Sequence, residues 1–238
     1  MKLFENLNNE IRQGTNGIYA PFYYRYLGYK KDIAAKPSEF RANGIYALFT
    51  ETKPIIMRNE IITGNKKSLY SNTDKMILQY AQRMVQSFGE RTFITNKDHY
   101  APNYEHILAV GLPGLIDEID TSLETHKSDA KKCETLLAMK HTLCGFSQMI
   151  KNYALAAIEC KNDPDYNNDH LEGIIKNCEA IVEDKPHSFA QALQLVWFCH
   201  TAFLMEDRFA MALGRIDQYL YPFYLLQDIY KTVCMHFP

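Results

Sequence analysis

Two stretches of the 238-residue sequence carry ionisable side chains in settings that a plain helical protein has no need of. The first, DHYAPNYEHILAVGLPGL (Asp98 to Leu115), sets Asp98 and His99 just before a helical pattern opened by Pro102. Unpaired N–H groups and the positive end of a helix start favour acceptors and tune a nearby imidazole, so His99 is a candidate proton donor or polarising group. The same residues are also compatible with a surface loop in which Asp98 caps the helix. The second stretch, ALGRIDQYLYPFY (Ala212 to Tyr224), puts Arg215 and Asp217 two residues apart, on one side of the chain if it is extended. Gly214 permits a tight backbone approach there. Charges beside the rings of YLYPFY are expected to be partly desolvated, which makes Asp217 either functional or one half of a structural Arg215–Asp217 ion pair.

Several chemistries are excluded by what the sequence lacks. It contains no GxxxxGK[ST], GxGxxG or HExxH, so the common nucleotide and zinc-protease sites fall away. The six cysteines (Cys133, Cys144, Cys160, Cys178, Cys199, Cys234) form no CxxC pair and no zinc-ligand spacing, and read as reduced, mostly buried thiols. With a net charge of −2 and scattered Lys and Arg, there is no electrostatic footprint for nucleic acid or an acidic membrane. The opening MKLFENLNNEIRQGTNG has no apolar core followed by a cleavage site, and no window offers the ~20 uncharged apolar residues of a membrane span. A cytoplasmic location is expected.

The elements that must position these side chains are mostly helical, and 47% hydrophobic residues suffice for a real core. The reading is mainly α with a few short β strands. A helix is expected around Pro37 to Thr50, and KPIIMRNEIITGN alternates as two short strands or extended segments closed by a Gly64-Asn65 turn. From Asp74 the period becomes helical, with Met76, Ile77, Tyr80, Ala81, Met84, Val85 and Phe88 on one face and an end near Gly89. The helix after Pro102 is expected to kink or split at Gly111 and Pro113. The longest pattern runs from Ser128 to Glu159, with Leu136, Leu137, Leu143, Phe146, Ile150, Tyr153, Ala154 and Ala157 supplying its apolar side, and NDPDY stops it. Another helix fits Asp169 to Val182. Ser188 and Gln191 then form a capping box opening FAQALQLVWFCHTAFLM, which is apolar nearly all round and belongs inside something larger. No repeat or linker divides residues 1–238, which read as a single region.

Residues 188–229 resemble the glycyl radical enzymes, the group that includes pyruvate formate-lyase, glycerol and diol dehydratases, choline trimethylamine-lyase and hydroxyproline dehydratase. GRIDQYLYP is similar to the family's GRxDQYLYP run, DHYAPNYEHILAVGLPGL to its GHxxPDYExxLxxGLxG element, and NEIITGN to its (D/N)ELIxGN element. The three occur in the family's order, and the resemblance covers about residues 40–229, nearest to the dehydratase-like branch. It implies the N-terminal part of a ten-stranded α/β barrel whose two five-stranded half-sheets enclose the active site. The implied chemistry is radical: a glycyl radical oxidises a cysteine to a thiyl, which takes a hydrogen atom from a small-molecule substrate, while the protein positions the substrate and screens the radical. By the resemblance, His99 matches a histidine that in several dehydratase-type members contacts the leaving group, and Asp217 a position that in some members holds a carboxylate facing the substrate and in others a hydroxyl residue. Gly214 and Arg215 then stand near the site as structural residues. In a dehydration His99 would help the hydroxyl leave and Asp217 would bind or deprotonate a neighbouring polar group.

The departures from the family pattern are specific. No cysteine lies in a Gly-Cys-x-Glu loop; Cys178 comes nearest, in NCEA, but inside a helical pattern. The Arg-Val-x-Gly-Tyr element of the radical glycine is missing, and the LGY at Gly28 lacks its context. After YLLQDI the family continues through another helix and most of the barrel, whereas this sequence reads YKTVCMHFP. The expectation is a truncated or split enzyme, inactive alone, arising from a split gene, a frameshift or a partial gene model. The family binds no cofactor beyond its radical, which is installed by an activase using an iron–sulfur cluster and S-adenosylmethionine; here the target glycine is absent. A homodimer or a complementing C-terminal half is the implied partner. A second reading, from a different class, is a helical binding or scaffold protein that keeps the fold without the chemistry.

Overall fold

A computed structural model describes residues 2–12, 15–92, 99–208 and 210–226. The helices are α1 (Lys2–Arg12), α2 (Pro21–Tyr29), α3 (Pro37–Glu51), α4 (Lys75–Ser87), α5 (Tyr104–Thr125), α6 (Ala130–Cys160), α7 (Asn168–Glu183), α8 (Phe189–Met205) and the short α9 (Ile216–Tyr219). A further helical stretch covers 221–226. Local chemistry starts most of them. Pro21 and Pro37 open α2 and α3, where a missing N–H costs nothing. Side chains of Asp74, Asn103, Asp129, Asn167 and Ser188 accept from first-turn N–H groups of α4 to α8. The Ser188–Gln191 box forms with a shift of one residue: Ser188 Oγ accepts from Gln191 N, and Gln191 Oε1 accepts from His187 N at 2.7 Å.

The long α6 is the axis of the core. It packs on α3, α5 and α7, and α7 carries α8. Met149, Ile150 and Tyr153 of α6 meet Leu171, Ile174 and Ile181 of α7 and Leu195 and Phe198 of α8, all fully buried. A smaller aromatic cluster joins α2 to α3, with Tyr29 stacked on Phe40 at 4.5 Å between ring centres. Gly28 lies at that crossing, where a Cβ would fall 1.9 Å from the Asn43 carbonyl oxygen, so the LGY triplet serves helix packing.

Strands are few and short. β1 (Ile18–Tyr19) pairs antiparallel with β2 (Tyr70–Ser71), and β3 (His99–Tyr100) pairs parallel with β4 (Ala210–Met211). The expected break in α5 is present: Gly111 has φ 70° and ψ −178°, and Pro113 falls at the start of the second half, where no N–H is needed. The turn brings His106 Nε2 to 3.0 Å from Glu118 Oε2, although twelve residues of straight helix would span about 18 Å.

KPIIMRNEIITGN departs from its alternating pattern and contains no strand. Its backbone is satisfied by distant side chains instead of a ladder. Glu10 of α1 accepts from the N–H groups of Arg58 (2.7 Å) and Asn59 (3.0 Å). Gln194 of α8 accepts from Thr63 N at 2.9 Å and donates to Thr63 O at 2.7 Å, while Trp197 Nε1 donates to Gly64 O at 2.8 Å. Inside this loop Glu60 is buried and accepts from the Thr63 hydroxyl.

The face assigned to α4 is also corrected. Ala81 and Val85 are buried together with Leu78, but Met76, Ile77 and Tyr80 are exposed. The helix has apolar side chains on two overlapping faces, and only packing against α2 selects between them. Leu137 of α6 is likewise exposed. Of the described cysteines only Cys178 and Cys199 are buried; Cys133 and Cys160 are half-buried, Cys144 is exposed, and Cys234 lies outside the described residues. Burial pushes the Cys178 and Cys199 thiols up to about 12. A maleimide at pH 8 is therefore expected to label Cys144 in the folded chain and to reach Cys178 and Cys199 only with denaturant, which peptide mass mapping will read.

Candidate functional site

Two segments remote in sequence meet at β3 and β4. The parallel register pairs His99 with Ala210 and Tyr100 with Met211, so the chain entering α5 and the chain leaving α8 run side by side. Immediately beyond the pair lies a cleft of about 580 Å³. Asn103, Tyr104, Glu105 and Leu108, from the start of α5, form one side; Gly214, Arg215, Gln218, Tyr219 and Phe223 contribute to the other. Asn103 Oδ1 holds the helix start by accepting from His106 N at 3.2 Å. Tyr219 fixes the opposite wall: its hydroxyl donates to Leu213 O at 2.7 Å and its ring lies 5.5 Å from that of Tyr104.

Four residues were expected at the site, and the structure treats them differently. His99 is on β3 with its side chain exposed, and it does not line the cleft. Asp217 also lies off the cleft, within α9 and not in an extended segment. Arg215 and Asp217 approach to 3.9 Å, each side chain 72% exposed, so the expected desolvation is not realised. An exposed pair at that distance contributes little to stability. Gly214 and Arg215 do line the cleft. Gly214 is required for its positive φ of 64° and not for close packing, because a Cβ there would meet nothing within 4 Å. Asn103, and not Asp98, is the cap of α5, with Pro102 preceding it; Asp98 lies outside the described residues.

Tyr104 was not anticipated. It is buried on the cleft wall, and its hydroxyl has no hydrogen-bond partner. Burial, with the neighbouring Cys199 and Tyr219, pushes its ionisation up. Its place in PNYEHIL gives no sign of this, because an unpartnered hydroxyl results from the packing of α5 against other elements. Among the described residues no group of three His, Cys, Asp or Glu side chains is arranged to hold a metal ion, and no helix is long and apolar enough to cross a membrane.

Comparison with known proteins places this geometry. Residues 40–230 match the pyruvate formate lyase-like family. The chain is 30% identical over 236 residues to the (2S)-3-sulfopropanediol dehydratase of Klebsiella oxytoca, covering 92% of this chain and 28% of that enzyme. It is 28% identical over 174 residues to the probable dehydratase YbiW of Escherichia coli, covering 70% of this chain and 21% of that protein. The fold superposes on the glycerol-bound B12-independent glycerol dehydratase of Clostridium butyricum with a TM-score of 0.80 at 19% identity, over 94% of this chain and 36% of that one. A Roseburia inulinivorans protein of 1,2-propanediol dehydration gives 0.81 at 18% identity, over 98% and 35%. The chain thus spans less than a third of the length of these curated relatives. With its three sequence motifs, its break at Gly111 and this fold, the chain belongs to the pyruvate formate lyase-like family of glycyl radical enzymes, whose N-terminal portion it reproduces.

Proposed function

We propose that this chain forms one wall of the substrate chamber of a glycyl radical dehydratase and works with polypeptide that carries the Gly-Cys-x-Glu and Arg-Val-x-Gly-Tyr elements. The observation that carries the reading is the β3–β4 pairing, in which the His99 segment runs beside the segment leading to Gly214, Arg215 and Asp217. Two of the relatives are named as dehydratases, which supports a small hydroxylated substrate and C–O cleavage. Radical chemistry activates the substrate by hydrogen-atom removal. The share of this chain is acid–base work: His99 gives a proton to the departing hydroxyl, which leaves as water, and Asp217 takes one from the neighbouring hydroxyl that becomes the carbonyl. The exposure of both side chains agrees with a wall whose opposite side is supplied by other residues. Tyr221, Tyr224, Leu225 and Leu226, all exposed, likewise call for a covering surface, which argues against a free-standing scaffold.

On this reading the 238 residues alone are inactive, and the working assembly is cytoplasmic, requires the activase, and excludes oxygen. The test begins with the DNA following codon 238, translated in all frames. A downstream polypeptide with both missing elements is to be co-expressed anaerobically with this chain and the activase. Turnover of a vicinal diol, together with a glycyl radical signal in electron paramagnetic resonance, is the expected result. His99→Ala should then reduce turnover by about 10²-fold or more and leave the radical signal intact. A chain that stays monomeric, melts sharply and finds no complementing polypeptide would overturn the proposal.

A further inference from the structure

Helix α8 ends in a left-handed residue closed by two backbone hydrogen bonds, Asp207 N to Leu204 O at 3.1 Å and Arg208 N to Phe203 O at 3.2 Å, a position where glycine is usual but an acid stands. Asp207 has φ 61°, the one positive φ among the described non-glycine residues. Left-handed backbone is unfavourable for an L side chain, though least so for Asp and Asn. A carboxylate just past the C-terminus of α8 also faces the negative end of the helix. An acid in the place of the usual glycine, and against the helix dipole, points to a use for its side chain.

That use is visible in its contact. The Asp207 carboxylate accepts a hydrogen bond from the hydroxyl of Tyr19, on β1 at the other end of the chain. Tyr19 is itself held by the β1–β2 ladder and by Tyr70, whose ring lies 5.5 Å away. Arg25 adds a positive charge near the pair: it is buried, its Nε has no hydrogen-bond partner, and its field reaches the Tyr19 hydroxyl. Three residues beyond Asp207 the chain enters β4, where Ala210 is paired with His99.

We infer that Tyr19 and Asp207 form a positioning latch, whose hydrogen bond ties the C-terminal turn of α8 to β1 and thereby sets β4 in register with β3 and fixes where His99 stands. Asp207 is thus a positioning residue acting through β4. Its value to catalysis rests on the role proposed for His99, whereas the latch itself does not.

The test uses the full 238-residue chain and amide hydrogen exchange. Tyr19→Phe keeps the ring on Tyr70 and removes the donor; exchange at residues 99–101 and 210–212 should rise about 10-fold or more, with α6 and α7 unchanged. Asp207→Gly should do the same without a fall in melting temperature, because it releases the backbone strain. Asp207→Asn keeps an acceptor and a tolerance for the left-handed turn and should restore near-native exchange. Unchanged β3–β4 exchange in Tyr19→Phe and Asp207→Gly overturns the latch, and so does a uniform rise across the chain, which would make the contact one of general stability. If the variants loosen β3–β4 but Tyr19→Phe leaves kcat of the reconstituted enzyme unaltered, the latch stands and the assignment of His99 fails.

Discussion

Gly111→Ala is expected to lower the melting temperature of the chain by about 10 °C, a large loss for the addition of one methyl group. Gly111 has φ 70° and ψ −178°, a region that side-chain-bearing residues enter only at a cost of about 1–3 kcal/mol. A Cβ at this point would also lie 2.7 Å from the Cα of Lys185 and 2.8 Å from its N. These are backbone atoms of the α7–α8 connection and cannot rotate away, so the first half of α5 must withdraw from that connection. Together the two effects amount to about 3–5 kcal/mol. Because the first turn of α5 forms one side of the cleft, its separation from Tyr219 and Phe223 should follow. Thermal melts by circular dichroism provide the check, with Pro113→Ala as the control. Pro113 sits where an N–H is not needed, so its replacement should cost less than about 1 kcal/mol. A Gly111→Ala chain melting within 2–3 °C (roughly one kcal/mol) of the parent would show that the break does not depend on glycine.

The second large effect is a dependence of stability on pH that runs opposite to the usual carboxylate behaviour. Burial raises the Glu60 carboxyl from 4.5 to about 8, against the smaller lowering effects of hydrogen bonds from Thr63 and the backbone near Met57. The folded pKa lies above the unfolded one, so between the two values the native state binds the extra proton. The stabilisation is full below about 4.5 and is lost as pH rises towards about 8. The expected slope from this group is up to ~1.4 kcal/mol per pH unit within the window. Glu60→Gln, which stays neutral, should abolish that slope and leave the chain more stable than the parent at pH 8.5. Urea unfolding at pH 5.5, 7 and 8.5 measures it; parallel pH profiles for the two proteins would rule Glu60 out. Since Glu60 sits in the loop gripped by Gln194 and Trp197, its ionisation should loosen that grip first.

Much of the helical framework could be read from the sequence because its determinants are local. Starts such as Asp74 and Ser188, the proline at 37 and the long apolar period of α6 act within a turn or two of themselves, whereas α1 and α2 were not anticipated and the cap of α5 is Asn103 instead of Asp98. The break at Gly111 is local too. The family motifs were equally legible, since they are strings of residues. Of the two alternatives for KPIIMRNEIITGN, strands or extended segments, the strands do not form: its period of two is real, but the partners that satisfy its backbone lie on α1 and α8. No window of a dozen residues around this loop contains Glu10 or Gln194.

The candidate site shows the same division. The sequence by itself determined the three family motifs, which singled out His99, Gly214, Arg215 and Asp217 as candidates, and that the elements of the radical centre are not among these 238 residues. It also determined the approximate spans of α3, α4, α6, α7 and α8. Only the tertiary structure decided that His99 lies beside Ala210, that the cleft runs past Tyr104 and Tyr219 and not past His99 or Asp217, and that the Arg215–Asp217 pair is open to solvent. Strands of two residues have no periodicity to read, and a parallel pair is joined through all of α5 to α8, so its register is fixed by the packing of those helices and by contacts such as Tyr19 to Asp207. Burial is likewise a property of neighbours: a charge next to aromatic residues in sequence is desolvated only where another surface closes over it.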